Sequence, residues 1–347
     1  MAASPISELP IAFLQEGHCN TSRHHSYYLQ AGPTDGPLII FVHGWPELGR
    51  VWQQAMQHFA TQGYWVVAPD MRGYGESSVY TGYAAYAIEE TVQDMLELLA
   101  YLGRSAAIWV GHDWGAPVVW GLASQHADKC IGVANLCVSY QPKGFAPANL
   151  IPLVNRNIYP EDQYPSGQWD YQLYYESHFT EVQKTFEADL SRTFRTLIRS
   201  GDPNGLGKPA LSASITKAGG WFGGAGIAPD LPRDPVTLPE EELAAYITAY
   251  SRTGFFGPNA WYMNAALNSA YANRAPHNGQ ITIPVLFIHA AYDWICDTLH
   301  SDLSNPMRAA CSQLSEATIN CGHWIAQEKP AELNLHLENW IQQTLKL

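Results

Sequence analysis

The chain has little charge and little of it is basic: only 15% of its 347 residues are Asp, Glu, Lys or Arg, with 19 basic against 32 acidic and a net charge of -13. Such a balance repels a phosphate backbone and argues against nucleic acid as a partner. Cysteines number six (Cys19, Cys130, Cys137, Cys296, Cys311, Cys321), with no C-x-x-C pair and no dense framework, so they read as buried thiols of a reducing compartment. No run of ~18 apolar residues occurs, which leaves no candidate for a membrane-spanning helix. Met1 to Pro10 lacks a basic segment followed by an apolar one, so a cytoplasmic protein is expected. The final Lys346-Leu347 shares two residues with the S-K-L address, a minor pointer to the peroxisome. The chain also lacks G-x-S-x-G, which removes a serine nucleophile at a strand-to-helix turn.

What is present is a 46% hydrophobic, aromatic-rich composition with 12 Trp and 19 Tyr, enough to build a large core. Short apolar runs alternate with stretches of helical period over the first 140 residues. Strands are expected at Tyr27 to Ala31, Leu38 to Val42, Tyr64 to Ala68, Ala107 to Gly111 and Gly132 to Val138, read as parallel because they are apolar throughout. Ile88 to Leu102 has a helical stripe of Val92, Met95, Leu96 and Leu99 and stops at Gly103.

From about Tyr140 the rhythm breaks, and Pro, Gly, Tyr and Trp accumulate. Within this stretch Glu240 to Thr253 reads as a helix, with Thr237 and Glu240 as a capping box and Gly254 after its end. Strands return at Pro284 to His289 and Ala317 to Asn320, and Pro330 to Leu345 closes the chain as a helix facing inward through Leu333, Leu337, Trp340 and Ile341. The expected architecture is an α/β core from 1–139 and 276–347, its mostly parallel sheet flanked by helices, with an inserted, mainly helical cap over 140–275.

The chemistry begins at Gly111-His112-Asp113-Trp114-Gly115, between a strand and an apolar helix. The form is small-x-nucleophile-x-small, with Asp in the central position. Carboxylic acids ionise near pH ~3.9 and need no base to become nucleophiles, and the helix N-terminus favours an anion. An aspartate that merely caps the helix fits the pentapeptide equally well. Asp293 and His323 each follow a late strand, and the carboxyl ends of parallel strands converge on one crevice. Asp297 is a rival to Asp293, which stands nearer its strand end. The chain order of nucleophile, acid and histidine is that of α/β-hydrolases. His43-Gly44-Trp45-Pro46 follows another strand. Pro46 has no N–H, so the backbone amides of Trp45 and Trp114 are the candidate oxyanion donors, and the Trp45–Pro46 bond is a candidate for cis.

Taken together, HGWP at 43–46, DMRGYGESS at 70–78, GHDWGA at 111–116, DYQLYY at 170–175, GFFGPNAWY at 254–262 and CGHW at 321–324 resemble the soluble epoxide hydrolases of the α/β-hydrolase fold over nearly the full chain. The resemblance implies Asp113 as nucleophile, His323 as the base that activates water, Asp293 as its orienting acid, and Tyr171 and Tyr262 as the cap tyrosines that receive the epoxide oxygen. It implies a vicinal diol as product by way of an alkyl ester on Asp113, and no cofactor or metal. Segment 70–78 is expected to be structural. A lipophilic epoxide would suit Trp169, Trp221, Phe222 and Phe255, with Gln172, His112 and Trp324 as further candidate pocket residues; the protein is expected to be a monomer or homodimer. The same aspartate and histidine would serve a haloalkane or haloacid dehalogenase, and a non-catalytic hydrolase-like binder is the reading from another class. The phenols favour the epoxide, whose leaving oxygen needs an acid whereas a halide does not.

Overall fold

A computed structural model describes residues 14–347; Met1 to Pro10, from which the absence of a leader is expected, lies outside them. Eight strands form one sheet: β1 Gln15–Asn20, β2 His25–Ala31, β3 Leu38–Val42, β4 Trp65–Pro69, β5 Ala107–His112, β6 Cys130–Leu136, β7 Val285–Ala290 and β8 Leu314–Ile319. Their order is β1-β2-β4-β3-β5-β6-β7-β8. From β4 to β8 every pairing is parallel. β2 corrects the expectation of a parallel strand, because it pairs antiparallel with both β1 and β4. Its alternating burial marks a sheet covered on one face, whereas β3, β4, β5 and β7 are buried along their whole length between helical layers. β1 went unread because its side chains are mostly exposed and polar, with no apolar run to mark it. β8 starts three residues before the expected Ala317, again on a half-exposed edge.

The flanking helices include α1 Gln53–Thr61, α2 Ile88–Tyr101 and α3 Gly115–Gln125. α1 has no counterpart in the sequence reading. α2 ends as expected, with Gly103 at φ 71° donating its N–H to the Ala100 carbonyl. α3 is apolar almost all round because it is wedged between the sheet and α2. The closing helix Pro330–Trp340 runs on into a π turn, Ile341–Leu345, and buries Leu333, Leu337, Trp340 and Ile341. All six cysteines are free and buried. Among the described residues no helix is long and apolar enough to cross a membrane.

No strand forms among residues 137–284, which hold helices at Asp170–Glu187, Leu190–Leu197 and Glu240–Thr253 with shorter helical turns between them. The capping box does not form. Pro239 takes the cap position of helix Glu240–Thr253, and the Thr237 hydroxyl instead donates to the Ile198 carbonyl at 3.2 Å, because the helix begins two residues too late for the box.

α3 approaches β3 so closely that a Cβ on Gly115 would lie 2.2 Å from the Val42 carbonyl oxygen, a backbone atom that cannot step aside. Gly115→Ala is therefore expected to cost more than about 2 kcal/mol in urea unfolding. Gly82→Ala meets nothing within 4 Å at an ordinary φ of -102° and should stay within about 0.5 kcal/mol of wild type. Equal losses in the two variants would contradict the packing described.

Candidate active site

Asp113 sits at the turn between β5 and α3 with φ 48°, a left-handed conformation that a residue with a side chain adopts only when its surroundings enforce it. Gly44 leaves room for it, since a Cβ there would approach the Asp113 Cβ to 2.4 Å. Asp113 is thereby turned off the end of the sheet. Its Oδ1 accepts the Trp45 N–H at 2.7 Å, and its Oδ2 faces His323 Nε2 at 3.5 Å. The Trp45–Pro46 bond is cis.

On the far side of the imidazole, His323 Nδ1 meets Asp293 Oδ2 at 2.6 Å. Asp293 Oδ1 in turn accepts the N–H groups of Ile295 and Cys296 at 3.1 and 2.9 Å. Asp297 points elsewhere, with His300 at 3.0 Å as its partner. Burial opposes a charge on either group, yet the pair overrides it: the Asp293 pKa is held below the usual carboxylate value by His323, and the His323 pKa is driven well above 6.5 by the charge and hydrogen bonds of Asp293 and Asp113.

Above this row lie two phenols whose rings meet edge to face at 5.7 Å, Tyr171 and Tyr262. Tyr171 starts helix Asp170–Glu187, and Tyr262 follows the short helix Phe256–Ala260. The Tyr171 oxygen accepts from Gln172 Nε2 at 3.2 Å, and the Tyr262 ring packs edge to face on Trp114 at 5.0 Å. The Tyr171 O–H is thereby left to donate elsewhere. Burial first, and then neighbouring anionic groups including Asp113, push both pKa values above 10, so both phenols hold their protons at neutral pH.

The matching protein-family model, described as the alpha/beta hydrolase fold, spans residues 37–330. Epoxide hydrolase A of Mycobacterium tuberculosis is 33% identical over 319 residues, covering 89% of this chain and 91% of that protein. The chain belongs to the epoxide hydrolases of the α/β-hydrolase fold. Bifunctional epoxide hydrolase 2 of Sus scrofa is 32% identical over 88% of this chain, but the chain spans only 52% of that relative's length. Among solved structures, epoxide hydrolase A of Mycobacterium thermoresistibile superposes with a TM-score of 0.77 at 28% identity, over 95% of this chain and 98% of that one.

In this α/β-hydrolase one expected pocket residue has another duty. His112 does not offer a nitrogen to the crevice: Nδ1 meets Glu47 Oε2 and Nε2 meets the His323 carbonyl, both at 2.8 Å. A carbonyl can only accept, and Glu47 already accepts the Gly44 N–H at 3.0 Å, so both ring nitrogens donate and His112 is an imidazolium. Burial opposes that charge; the Glu47 carboxylate overrides it and lifts the His112 pKa to about 10, while the Glu47 pKa falls to about 2. His43 is the opposite case. Its Nε2 accepts the Met71 N–H at 2.9 Å and its Nδ1 donates to the Gly44 carbonyl at 2.8 Å, which fixes one neutral tautomer, and burial lowers its pKa. Gln172, buried beside the phenols, donates its Nε2 to the Tyr171 oxygen at 3.2 Å.

Trp324 packs edge-on against His323 at 4.8 Å, and Trp169 lies wholly buried 6.5 Å from Tyr171. Trp221 and Phe255 join the aromatic wall through Phe186, at 5.1 and 5.2 Å, and Phe222 lies 5.8 Å from the same ring. Segment 70–78 is structural as expected: Asp70 accepts the N–H groups of Gly49 and Glu76 at 2.8 and 3.2 Å, and Arg72 pairs with Asp94 at 2.6 Å. A cavity of about 760 Å³ beside Tyr27, Arg50 and Arg252 holds none of Asp113, Asp293 or His323.

Two residues of this site escaped the sequence reading. Glu47 directly follows HGWP, so its position was visible, but nothing in the sequence marked its partner. Asn259, inside GFFGPNAWY, accepts from the Trp45 indole at 3.1 Å and from Tyr175 at 3.4 Å, tying the two halves of the site.

Glu47→Gln leaves a buried imidazolium without its anion and is expected to cost about 3–5 kcal/mol near pH 6. Because the folded pKa of His112 is raised from 6.5 to about 10, its contribution is complete below 6.5 and fades as pH rises through about 10. The gap between wild type and Glu47→Gln in urea unfolding should narrow over that window. A gap constant from pH 6 to 10 would show that His112 is neutral.

Proposed function

We propose that the protein hydrolyses epoxides to vicinal diols through a covalent ester on Asp113, with residues 140–275 acting as a cap that brings Tyr171 and Tyr262 over the nucleophile. The observation that carries this reading is the convergence of a carboxylate held by an amide, a histidine paired to a second carboxylate, and two buried phenols in contact with one another.

The two oxygens of Asp113 divide the work. Oδ1 is engaged by the Trp45 N–H, so Oδ2 attacks the oxirane carbon from the face opposite the breaking C–O bond. The ring oxygen takes its proton from the phenol pair as charge develops, and an alkyl ester results. Water then adds to the ester carbonyl carbon, losing a proton to His323 Nε2, which Asp293 holds in the required orientation. Oδ1 becomes the oxyanion and rests on the Trp45 amide, with the Trp114 amide as second donor. Collapse releases the diol and restores the Asp113 carboxylate, and the proton held by His323 returns to the phenol pair.

Esterification also readies the base. In the free protein His323 is flanked by two anions that raise its pKa. The ester is neutral, so one of them disappears at the moment a neutral imidazole is needed, while Asp293 remains. Ester hydrolysis therefore falls as pH drops and His323 takes a proton.

The dehalogenase reading would have the Trp114 indole N–H receive a halide. Here the Trp114 ring packs edge to face on Tyr262 at 5.0 Å, so a phenol able to give a proton to a leaving oxygen stands beside it. Styrene oxide and a 1-haloalkane, assayed in parallel for diol and released halide, are expected to yield diol alone, and none with Asp113→Ala. Halide without diol would overturn the proposal. His323→Gln should accumulate the ester, slowing its hydrolysis by about 10²- to 10⁴-fold, and Tyr171→Phe or Tyr262→Phe should slow ester formation by about 10²-fold. In single-turnover experiments wild-type ester hydrolysis should fall as pH drops and His323 becomes protonated. A profile flat down to pH 4 would remove His323 from the base role.

A further inference from the structure

Two thiols flank His323 and take no part in the proposed chemistry. Cys137 and Cys296 each complete a three-ligand set with it, His112–Cys137–His323 and Asp293–Cys296–His323, and within each set the candidate donor atoms all lie within 4.8 Å of one another. The first set is already occupied by its own hydrogen bonds. His112 uses both ring nitrogens, and the Cys137 thiol donates to the His323 carbonyl at 3.4 Å. In the second, Asp293 holds its two amide donors on Oδ1, leaving Oδ2 to His323 Nδ1 and to any ion that replaces the proton between them.

We infer that Asp293, Cys296 and His323 form an inhibitory site for a thiophilic divalent cation such as Zn²⁺ or Cd²⁺, a site that stops the protein after ester formation. One carboxylate oxygen, one thiolate and one imidazole nitrogen are a donor set such ions take in tetrahedral geometry, with the fourth position open to the crevice. Binding forms metal–O, metal–S and metal–N bonds and releases the Cys296 thiol proton and the His323 Nδ1 proton to solvent. Nδ1 and Oδ2, 2.6 Å apart across a hydrogen bond, must separate. With zinc bonds of about 2.0–2.1 Å they would stand about 3.3 Å apart at a tetrahedral angle, a shift of less than one ångström. Of the three ligands His323 reaches solvent, its side chain 20% exposed, while Asp293 and Cys296 lie buried behind it. An ion seated there breaks the Asp293–His323 pair that ester hydrolysis needs and leaves Asp113 Oδ2 open to alkylation.

The inference rests on the epoxide reading only for its inhibitory effect; ion binding is tested without substrate. Cadmium added to the full chain should produce an ultraviolet thiolate-to-metal charge-transfer band that saturates at one ion per chain and is reversed by EDTA. Cys296→Ser should abolish the band and raise the half-inhibitory concentration of Cd²⁺ and Zn²⁺ about tenfold or more, with diol formation in the absence of metal retained. Cys137→Ser should change neither. On the metal-loaded protein one equivalent of epoxide should be consumed without diol. A band that survives Cys296→Ser, one lost in Cys137→Ser, or full turnover with the site loaded would each overturn the proposal. A band with the expected variant pattern in a protein that makes no diol would sustain the binding site and sink the epoxide reading instead.

Discussion

The structure depends on how closely three backbones meet beneath Asp113. The strand ends of β3 and β5 and the N-terminus of α3 are drawn so near that Gly115 abuts the Val42 carbonyl and Gly44 abuts Asp113 itself. That approach gives Asp113 its positive φ and brings the Trp45 amide onto its Oδ1. A wider turn would leave the carboxylate pointing along the sheet, and no arrangement of His323 or of the phenols could recover it. The buried strands and the apolar α3 can be read as the support that keeps this turn in place.

Charge is distributed around the turn by hydrogen-bond partners rather than by residue type. His43 and His112 are both buried and both within a few residues of the site, yet one is neutral and the other an imidazolium, because His43 receives an amide proton where His112 faces a carboxylate. His323 faces a carboxylate on each side, Asp293 at Nδ1 and Asp113 at Nε2, and both raise its pKa. Tyr171 follows the same logic: the Gln172 N–H on its oxygen leaves its own proton free to be donated elsewhere.

The parts legible in the sequence were those carried by strong local patterns. Fully buried parallel strands have no polar face, so β3, β4, β5 and β7 stand out as apolar runs. Edge elements do not: β1 is polar and exposed, β8 half exposed, and the antiparallel direction of β2 is invisible because direction is a property of the pairing. Gly103 and Gly254 mark helix ends faithfully since both take a positive φ there, whereas the Thr237 box failed because Pro239 set the helix start two residues later. Asp113, Asp293 and His323 were legible from strand-end position and chain order, and Tyr171 and Tyr262 from the motifs that resemble the family.

The sequence by itself determined the family, the nucleophile-bearing turn and the identity of the side chains at the crevice, because short-range patterns of glycine, apolar runs and motif residues encode them directly. Only the tertiary structure decided how those side chains are employed. That His112 is a charged support and not a pocket wall, that Trp114 packs edge to face on Tyr262, and that Glu47 and Asn259 belong to the site at all follow from contacts between residues far apart in the chain. Protonation state and hydrogen-bond direction are set by which groups meet in a dry interior, and no local pattern records that meeting.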